Sequence, residues 1–115
     1  MSLQRKRRRV VYRGLVFQVI RDLVTLNGRP AIRDIIDHPG AVVIVPLLDR
    51  CRIVFVSQYR HAVRRKLLEL PAGTLKPGEG LAACARRELV EETGWWPRRL
   101  RRLARFYAAP GYTSE

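Results

Sequence analysis

The apolar residues of this chain fall into short runs separated by turn residues. Mixed apolar and β-favouring residues over Val10–Ile20 predict a strand. The tetrapeptide Asn27-Gly28-Arg29-Pro30 predicts a tight turn, because Asn-Gly supplies the positive φ values that such turns need. The segment Ala31–Asp37 reads as the return strand. Residues 10–37 are therefore predicted to form an N-terminal β-hairpin or small antiparallel sheet.

The middle of the chain predicts a second β region. The continuous apolar run Ala41–Leu48 is typical of a strand buried on both faces. A turn at Asp49-Arg50 leads into a second strand, Arg52–Arg60, so that the pair forms a central hairpin. The remaining strand predictions are a short one at Lys66–Leu70, stopped by Pro71 and followed by a turn at Ala72-Gly73, and a late one at Leu103–Ala108.

The clearest helical pattern covers Leu81–Thr93. Apolar residues recur there at i, i+3 and i+4 spacing, and Gly94 fits the position that ends a helix. The residues of this apolar stripe are Leu81, Ala82, Ala85 and Leu89. Glu88 and Glu92 are four residues apart and share a helix face, which we expect to lie opposite the apolar stripe.

Composition makes these acids stand out. The 115 residues carry a formal net charge of +13, with 47% hydrophobic and 29% charged residues, which is typical of one globular domain. Such charge favours anionic partners such as nucleotides, phosphates or nucleic acid. The basic block at residues 1–9 is interpreted as a flexible, solvated N-terminus, with a nucleic-acid or membrane arm as the alternative.

Cysteines and hydropathy bear on location. Cys51 and Cys84 make neither a disulfide framework nor a metal pattern. Leu15–Ile20 is too short for a signal peptide, and no run approaches the roughly 20 apolar residues of a membrane helix. A cytoplasmic protein without a membrane partner is the resulting expectation.

The acids belong to a long spaced motif. The pattern G-x5-E-x7-R-E-U-x-E-E-x-G-U, with U apolar, is matched throughout and resembles the Nudix box of the Nudix hydrolases. The matching positions are Gly73, Glu79, Arg87, Glu88, Leu89, Glu91, Glu92, Gly94 and Trp95. An ordinary amphipathic helix with an acidic outer face would explain the acidity but not this spacing.

The flanks of the box resemble one branch of that family, the ADP-ribose pyrophosphatases. The flanking matches are His38–Val42, Gln58-Tyr59-Arg60, Glu69–Gly73 and Ala109–Glu115, the last with Pro110 sixteen residues after Gly94. The resemblance implies an α+β Nudix fold, in which helices sandwich a mixed β-sheet. It divides the chain into the basic terminus 1–9, an N-terminal β-hairpin 10–40 and a Nudix core 41–115 with its box at 73–95.

The resemblance also implies site roles. Glu88, Glu91 and Glu92 would be catalytic. Glu88 and Glu92, with the carbonyl of Ala72, would hold Mg²⁺, with Mn²⁺ as the alternative ion. The implied substrate-binding residues are Arg33, Arg60 and Glu115, and the implied structural residues are Gly73, Glu79, Arg87 and Gly94. The substrate would be ADP-ribose, cleaved to AMP and ribose 5-phosphate by a homodimer that exchanges its N-terminal hairpins.

Other readings stay open. Other nucleoside diphosphate sugars, NADH or an oxidised nucleotide could replace ADP-ribose. A catalytically impaired module that binds nucleotide or RNA through an arginine-rich face is the alternative outside the enzymes. Nudix hydrolases of this branch continue after the proline loop with a strand, a loop bearing a glutamate and a closing helix. The sequence ends at Glu115, so the general base would lie beyond it or be Glu88.

Overall fold

A computed structural model describes all residues from 1 to 115. It confirms the α+β class, with one α-helix and seven strands whose ladders are all antiparallel. Instead of one mixed sheet between helices, the strands form three separate sheets. The chain divides into two compact units: residues 1–40 together with 104–115, and residues 41–103. No helix is long and apolar enough to cross a membrane.

The first unit is built on a three-stranded sheet. Its strands are β1 (Leu3–Arg13), β2 (Gln18–Leu26) and β3 (Arg29–Asp37), in the order β1-β2-β3. The predicted Asn-Gly turn between β2 and β3 is confirmed, since Asn27 has φ 49° and Gly28 has φ 78°. The predicted hairpin is therefore two hairpins that share β2.

Most of the basic block at residues 1–9, interpreted from the sequence as a flexible terminus, lies in β1. The strand pairs with β2 almost from the start of the chain, with Leu3 opposite Leu26. One arginine of the basic block explains part of this order. Arg8 Nε and Nη2 donate to the two carboxylate oxygens of Asp22 at 2.8 and 2.7 Å. Asp22 is only 5% exposed on β2, so this arginine supplies the partner that a buried carboxylate needs.

The end of the chain also belongs to the first unit, but not as predicted. Leu103–Ala108 forms no strand, because its single backbone hydrogen bond is from Ala108 N–H to the Glu115 carbonyl and a strand needs a continuous ladder. The following loop is ordered against β3 instead. Ile36 N–H donates to the Tyr112 carbonyl at 2.8 Å, and Ser114 N–H donates to the Ile36 carbonyl at 3.0 Å.

The second unit contains two short strand pairs. Strand β4 (Ala41–Val43) pairs with β7 (Ala72–Thr74), and β5 (Val56–Arg60) pairs with β6 (Arg65–Glu69). A 3-10 turn at His61–Val63 joins β5 to β6. Residues 72–74, predicted to begin with a turn, thus form a strand, and this strand carries the first glycine of the box.

The long buried strand predicted at Ala41–Leu48 is wrong. The ladder of β4 stops at Val43, and Val43 and Leu47 are 56% and 70% exposed. Pro46 lacks the N–H that a continuous ladder requires. The predicted hairpin survives in irregular form, because Val54 N–H donates to the Pro46 carbonyl and Leu48 N–H donates to the Arg52 carbonyl, both at 3.0 Å.

The helix prediction is confirmed. Helix α1 spans Leu81–Thr93 and ends at Gly94, whose φ is 76° and whose N–H donates to the Val90 carbonyl. The helix packs on β7 and β4. Its Thr93 hydroxyl donates to the Leu89 carbonyl at 2.6 Å, the i−4 hydrogen bond that a threonine within a helix commonly makes.

The buried face of α1 is not the predicted one. Cys84 and Leu89 are buried, whereas Leu81 is 51% exposed. At about 100° per residue, Glu88 and Glu92 lie between Cys84 and Leu89 around the helix. The two carboxylates therefore sit within the face that packs on the strands, not opposite it.

This packing predicts which helix leucine stabilises the second unit. We expect Leu89→Ala to lower the free energy of unfolding by about 2–5 kcal/mol, because it removes a side chain that is 4% exposed. Leu81→Ala, the same change at an exposed position of the same helix, should cost about 0.5 kcal/mol or less. Urea denaturation followed by circular dichroism measures both, and equal losses would contradict the assignment of the buried face.

Candidate active site

The site is assembled from three consecutive segments of the second unit. Strand β7 supplies Gly73, the loop after it supplies Glu79, and α1 supplies the remaining acids and Arg87. The loop turns tightly, with Glu79 N–H donating to the Lys76 carbonyl at 3.0 Å and Gly78 at φ 73°. This turn directs the Glu79 side chain back toward the helix.

Arg87 joins the loop, the strand and the helix. Its Nε and Nη2 donate to the two carboxylate oxygens of Glu79 at 2.7 and 2.8 Å, a bidentate pair. Nη2 also donates to the Thr74 carbonyl at 3.2 Å. The two side chains are only 20% and 13% exposed, so the pair is largely removed from water.

The same guanidinium reaches two further glutamates. Arg87 Nη1 lies 2.5 Å from Glu88 Oε1 and 3.3 Å from Glu91 Oε2. Like charges this close on one helix repel one another. In the structure one arginine of the box meets three of the four glutamates, which offsets much of their mutual repulsion.

This contact pattern changes the ionisation of the pair. The Arg87 guanidinium, followed by the Lys76 backbone N–H, lowers the pKa of Glu79 from 4.5 to about 2. The same hydrogen bonds, which Arg87 donates to Glu79, are the largest effect that raises the pKa of Arg87. Glu79 is therefore a permanent anion at physiological pH, and it serves as the structural partner of Arg87.

Glu88 lies directly over Gly73. A Cβ atom added at Gly73 would overlap the Cγ, Cδ and Oε1 atoms of Glu88. Only glycine leaves room for this carboxylate between α1 and β7. The glycine of the motif is thus explained by the close approach of a catalytic candidate to the backbone of the strand.

Glu92 is held differently from the other three acids. Its Oε1 accepts a hydrogen bond from Gln58 Nε2 at 3.1 Å, and its Oε2 accepts one from the Ala72 backbone N–H at 3.3 Å. Both donors are neutral. Glu88 and Glu92, one turn apart on the same helix face, are thereby both directed at the dipeptide Ala72-Gly73.

Arg60 lies on the same face of β5 as Gln58, two residues further along the strand. Its guanidinium donates to both oxygens of Glu69 on β6, from Nε at 2.9 and 3.0 Å and from Nη2 at 2.5 Å. This bond is the main cause that raises the pKa of Arg60, and the charge of Glu92 adds to it. Arg60 therefore lies near Glu92. Its side chain is about half-exposed and is already paired with Glu69.

Cys84 lies beneath the site. It is fully buried, and its Sγ is 3.8 Å from the carbonyl oxygens of Gly73 and Thr74. Burial, with a smaller effect from Glu79, raises the pKa of its thiol to about 11. The thiolate form of Cys84 is therefore suppressed, which is typical of an unreactive buried cysteine.

Two predicted substrate residues lie outside the second unit. Arg33 is on β3, where its Nη1 donates to the Ile32 carbonyl at 3.0 Å. Glu115 is exposed in the loop that is ordered against β3. The second unit thus brings together the box residues, Ala72 and Arg60, while Arg33 and Glu115 belong to the first unit.

The acids fit a hard cation by chemistry. Carboxylate oxygens are the donors that Mg²⁺ prefers, and Glu88, Glu91 and Glu92 present three of them on adjacent turns of α1. As placed in this structure, no three acidic, histidine or cysteine side chains converge on one metal position. The reason is visible in the contacts, because Glu88 and Glu91 are turned toward Arg87.

Comparison with known proteins identifies the family of this chain. The family description "NUDIX domain" matches residues 37–114. The chain belongs to the Nudix family. An ADP-ribose pyrophosphatase of Bacillus subtilis is 37% identical over 106 residues, and one of Mycobacterium tuberculosis is 39% identical over 107. A methanol dehydrogenase activator of Bacillus methanolicus is 38% identical over 106 residues.

A solved structure extends the Nudix comparison to the fold. The crystal structure of an ADP compounds hydrolase matches 99% of this chain with a TM-score of 0.84 and 25% sequence identity. The three relatives above each align with 91% of this chain. The chain spans 52–57% of their length and 63% of the solved chain.

Two residues of this Nudix site were not singled out from the sequence. Gln58 and Glu69 appeared only inside matched flanking segments, yet they contact Glu92 and Arg60. The available signal was alternation along β5, which places Gln58 and Arg60 on one face. That signal says which residues share a face but not which helix side chain lies across from them.

The Glu79–Arg87 pair predicts a pH dependence of stability. A carboxyl group whose pKa falls from 4.5 to about 2 on folding stabilises the folded state fully above pH 4.5, and this contribution disappears as the pH falls through 2. We expect Glu79→Gln to lower the urea midpoint at pH 7, and the difference from the wild type to vanish near pH 2. Glu91→Gln, at an exposed acid, should change the midpoint little, and a pH-independent deficit in Glu79→Gln would contradict the assignment.

Proposed function

We propose that this protein is a Mg²⁺-dependent Nudix hydrolase that cleaves the diphosphate of ADP-ribose to AMP and ribose 5-phosphate. One observation carries the proposal: Glu88 and Glu92 are both directed at Ala72-Gly73, and Glu92 also contacts Gln58 on β5, the strand that carries Arg60. Acids and an arginine near one another suit a diphosphate, because the cation and the arginine can share its negative charge. The names of the two pyrophosphatase relatives support the choice of ADP-ribose.

The reaction is a hydrolysis without a redox step. The oxygen of water forms a new bond to one phosphorus, and the bridging P–O bond of the diphosphate breaks. The bridging oxygen leaves with the other phosphate, and the proton of the water passes to a base. Within this chain Glu88 is the candidate base, because its side chain is only 13% exposed and its carboxylate lies against Gly73 of β7.

The cation would be held by Glu88, Glu92 and the carbonyl of Ala72, with Glu91 binding directly or through water. Mn²⁺ is the alternative ion, since both ions accept carboxylate oxygens. When bound, such an ion supplies charge neutralisation at the phosphoryl oxygens and lowers the pKa of a bound water. For Glu88 to bind it, the contact between Arg87 Nη1 and Glu88 has to lengthen, while the bidentate Arg87–Glu79 pair can stay.

Arg60 is proposed to bind the diphosphate. Its guanidinium has five N–H donors and cannot lose its proton, so it can keep Glu69 as a partner and still donate to phosphate oxygens. Arg33 and Glu115 are proposed to contact substrate through the first unit, with Glu115 near the terminal ribose or the metal-bound water. Gly73, Glu79, Arg87 and Gly94 are proposed to maintain the shape of the box.

Cytoplasmic location and a homodimer that exchanges its N-terminal hairpins stay predictions. The dimer is supported by apolar side chains exposed between β1 and β2. Leu15 is fully exposed, and Val16 and Phe17 are 55% and 39% exposed. A surface of this kind is typical of a protein–protein contact.

A binding module for RNA is the second candidate. Four arginines, Arg98, Arg99, Arg101 and Arg102, are exposed and have no carboxylate partner. Such a surface suits phosphate backbones. RNA affinity that falls steeply with salt, together with no hydrolysis of any diphosphate, would favour this candidate over the enzyme.

The enzyme proposal is tested by release of AMP. With Mg²⁺, we expect turnover of ADP-ribose to exceed that of NADH and of other nucleoside diphosphate sugars, and Glu92→Gln to lower it on the order of 100-fold or more. Asp49→Asn, a carboxylate changed to an amide in the exposed Asp49–Arg52 turn, should leave turnover unchanged. Preference for a nucleoside triphosphate would refute the choice of ADP-ribose, and full activity of Glu92→Gln would refute the metal site.

The close approach at Gly73 gives a second test. Gly73→Ala must displace the flexible Glu88 side chain, so we expect turnover to fall about 10- to 100-fold with little change in thermal stability. Gly80→Ala is the matched control, because a Cβ atom there meets nothing within 4 Å and its backbone is extended. Equal activity of the two variants would show that the position of Glu88 does not matter.

A further inference from the structure

Gln58 makes the only side-chain hydrogen bond between β5 and α1. Its Nε2 donates to Glu92 Oε1 at 3.1 Å, from a residue that is partly buried on the strand. The contact spans 34 residues of sequence. It connects the strand that carries Arg60 to the last turn of the helix that carries the acids.

The two donors to Glu92 make it unlike Glu88. Glu88 meets the cationic Arg87, which offsets its negative charge, whereas Glu92 meets an amide and a backbone N–H that carry no charge. Each carboxylate oxygen has two lone pairs. Glu92 can therefore keep both hydrogen bonds, keep its full charge, and still offer a lone pair on each oxygen to a cation.

The same contact bears on Arg60. Gln58 and Arg60 are two residues apart on one strand face, and the β5–β6 register fixes Arg60 beside Arg65 and Val56 beside Glu69. Glu69 of β6 holds the Arg60 side chain within the β5–β6 hairpin. Gln58 holds the carboxylate of Glu92 on α1. Strand β5 thus carries both Arg60, the proposed diphosphate-binding residue, and Gln58, which contacts the proposed cation ligand Glu92.

We propose that Gln58 is a positioning residue for the reaction: it orients the Glu92 carboxylate toward the divalent cation and keeps that carboxylate in register with Arg60. This proposal rests on the proposed function, because it assumes that Glu92 binds the cation. Partners of metal ligands act in this way when they fix the orientation of the ligating group. A purely structural role, in which Gln58 only satisfies its own amide, predicts a stability effect without a metal effect.

The experiment measures Mn²⁺ binding by electron paramagnetic resonance on the intact protein. Gln58→Met keeps the length of the side chain but removes the donor, and we expect it to weaken Mn²⁺ binding about tenfold. Ser57→Val is the matched control on the same strand. Ser57 is exposed and points to the opposite face, so this variant should bind Mn²⁺ within about twofold of the wild type.

A double-mutant cycle separates positioning from general damage. In a Glu92→Gln background the carboxylate that Gln58 orients is absent, so adding Gln58→Met should weaken Mn²⁺ binding by less than about twofold further. Independent effects that multiply in the double variant would overturn the proposal, because only coupled residues deviate from additivity. Thermal melts of every variant report stability separately from the metal titration.

The outcomes also distinguish this inference from the proposed function. If the wild type binds Mn²⁺ and releases AMP while Gln58→Met binds Mn²⁺ equally well, the inference fails and the function stands. If the wild type binds no Mn²⁺, both fail. If Gln58→Met does not fold, Gln58→Asn replaces it with the same expectation, since its amide is one methylene too short to reach Glu92.

Discussion

The pairing of one arginine with the acids of α1 and its preceding loop is the constraint on which the second unit depends. Arg87 binds Glu79 through two short hydrogen bonds, meets Glu88 and Glu91, and donates to the Thr74 carbonyl. Glu79 and Glu88 are each only 13% exposed, and a carboxylate so far removed from water needs a cationic or hydrogen-bonding partner. Arg87 therefore determines how the loop closes onto the helix, and with it where the carboxylates stand.

The four glutamates have separate roles because their partners differ. Glu79 is committed to Arg87, which holds its pKa near 2. Glu88 shares that arginine but extends over Gly73, and Glu92 has only neutral donors. A carboxylate with neutral donors keeps more of its charge for a cation than one bound to arginine. The partners of the acids thus change along the chain, from an arginine at Glu79 in the loop to two neutral donors at Glu92 in the last turn of α1.

Sequence patterns succeeded where local physics dominates. Helix α1 and its end at Gly94, and the Asn27-Gly28 turn, follow from periodicity and from backbone freedom within a few residues. The sequence patterns gave wrong predictions where a segment becomes a strand only if another segment pairs with it. The apolar run from Ala41 contains Pro46, and Leu103–Ala108 has no neighbouring ladder, so neither segment forms the strand that its composition favours.

For this protein the sequence alone determined the family, the helix that bears the acids, and the identity of the box residues, because fixed spacing along one chain is all that these require. Tertiary structure decided which face of the helix is buried. It also decided that Arg87 binds three of the acids and that Gln58 reaches Glu92 across 34 residues. Such contacts join separate elements, and spacing within one element carries no information about the side chains that the fold brings against it.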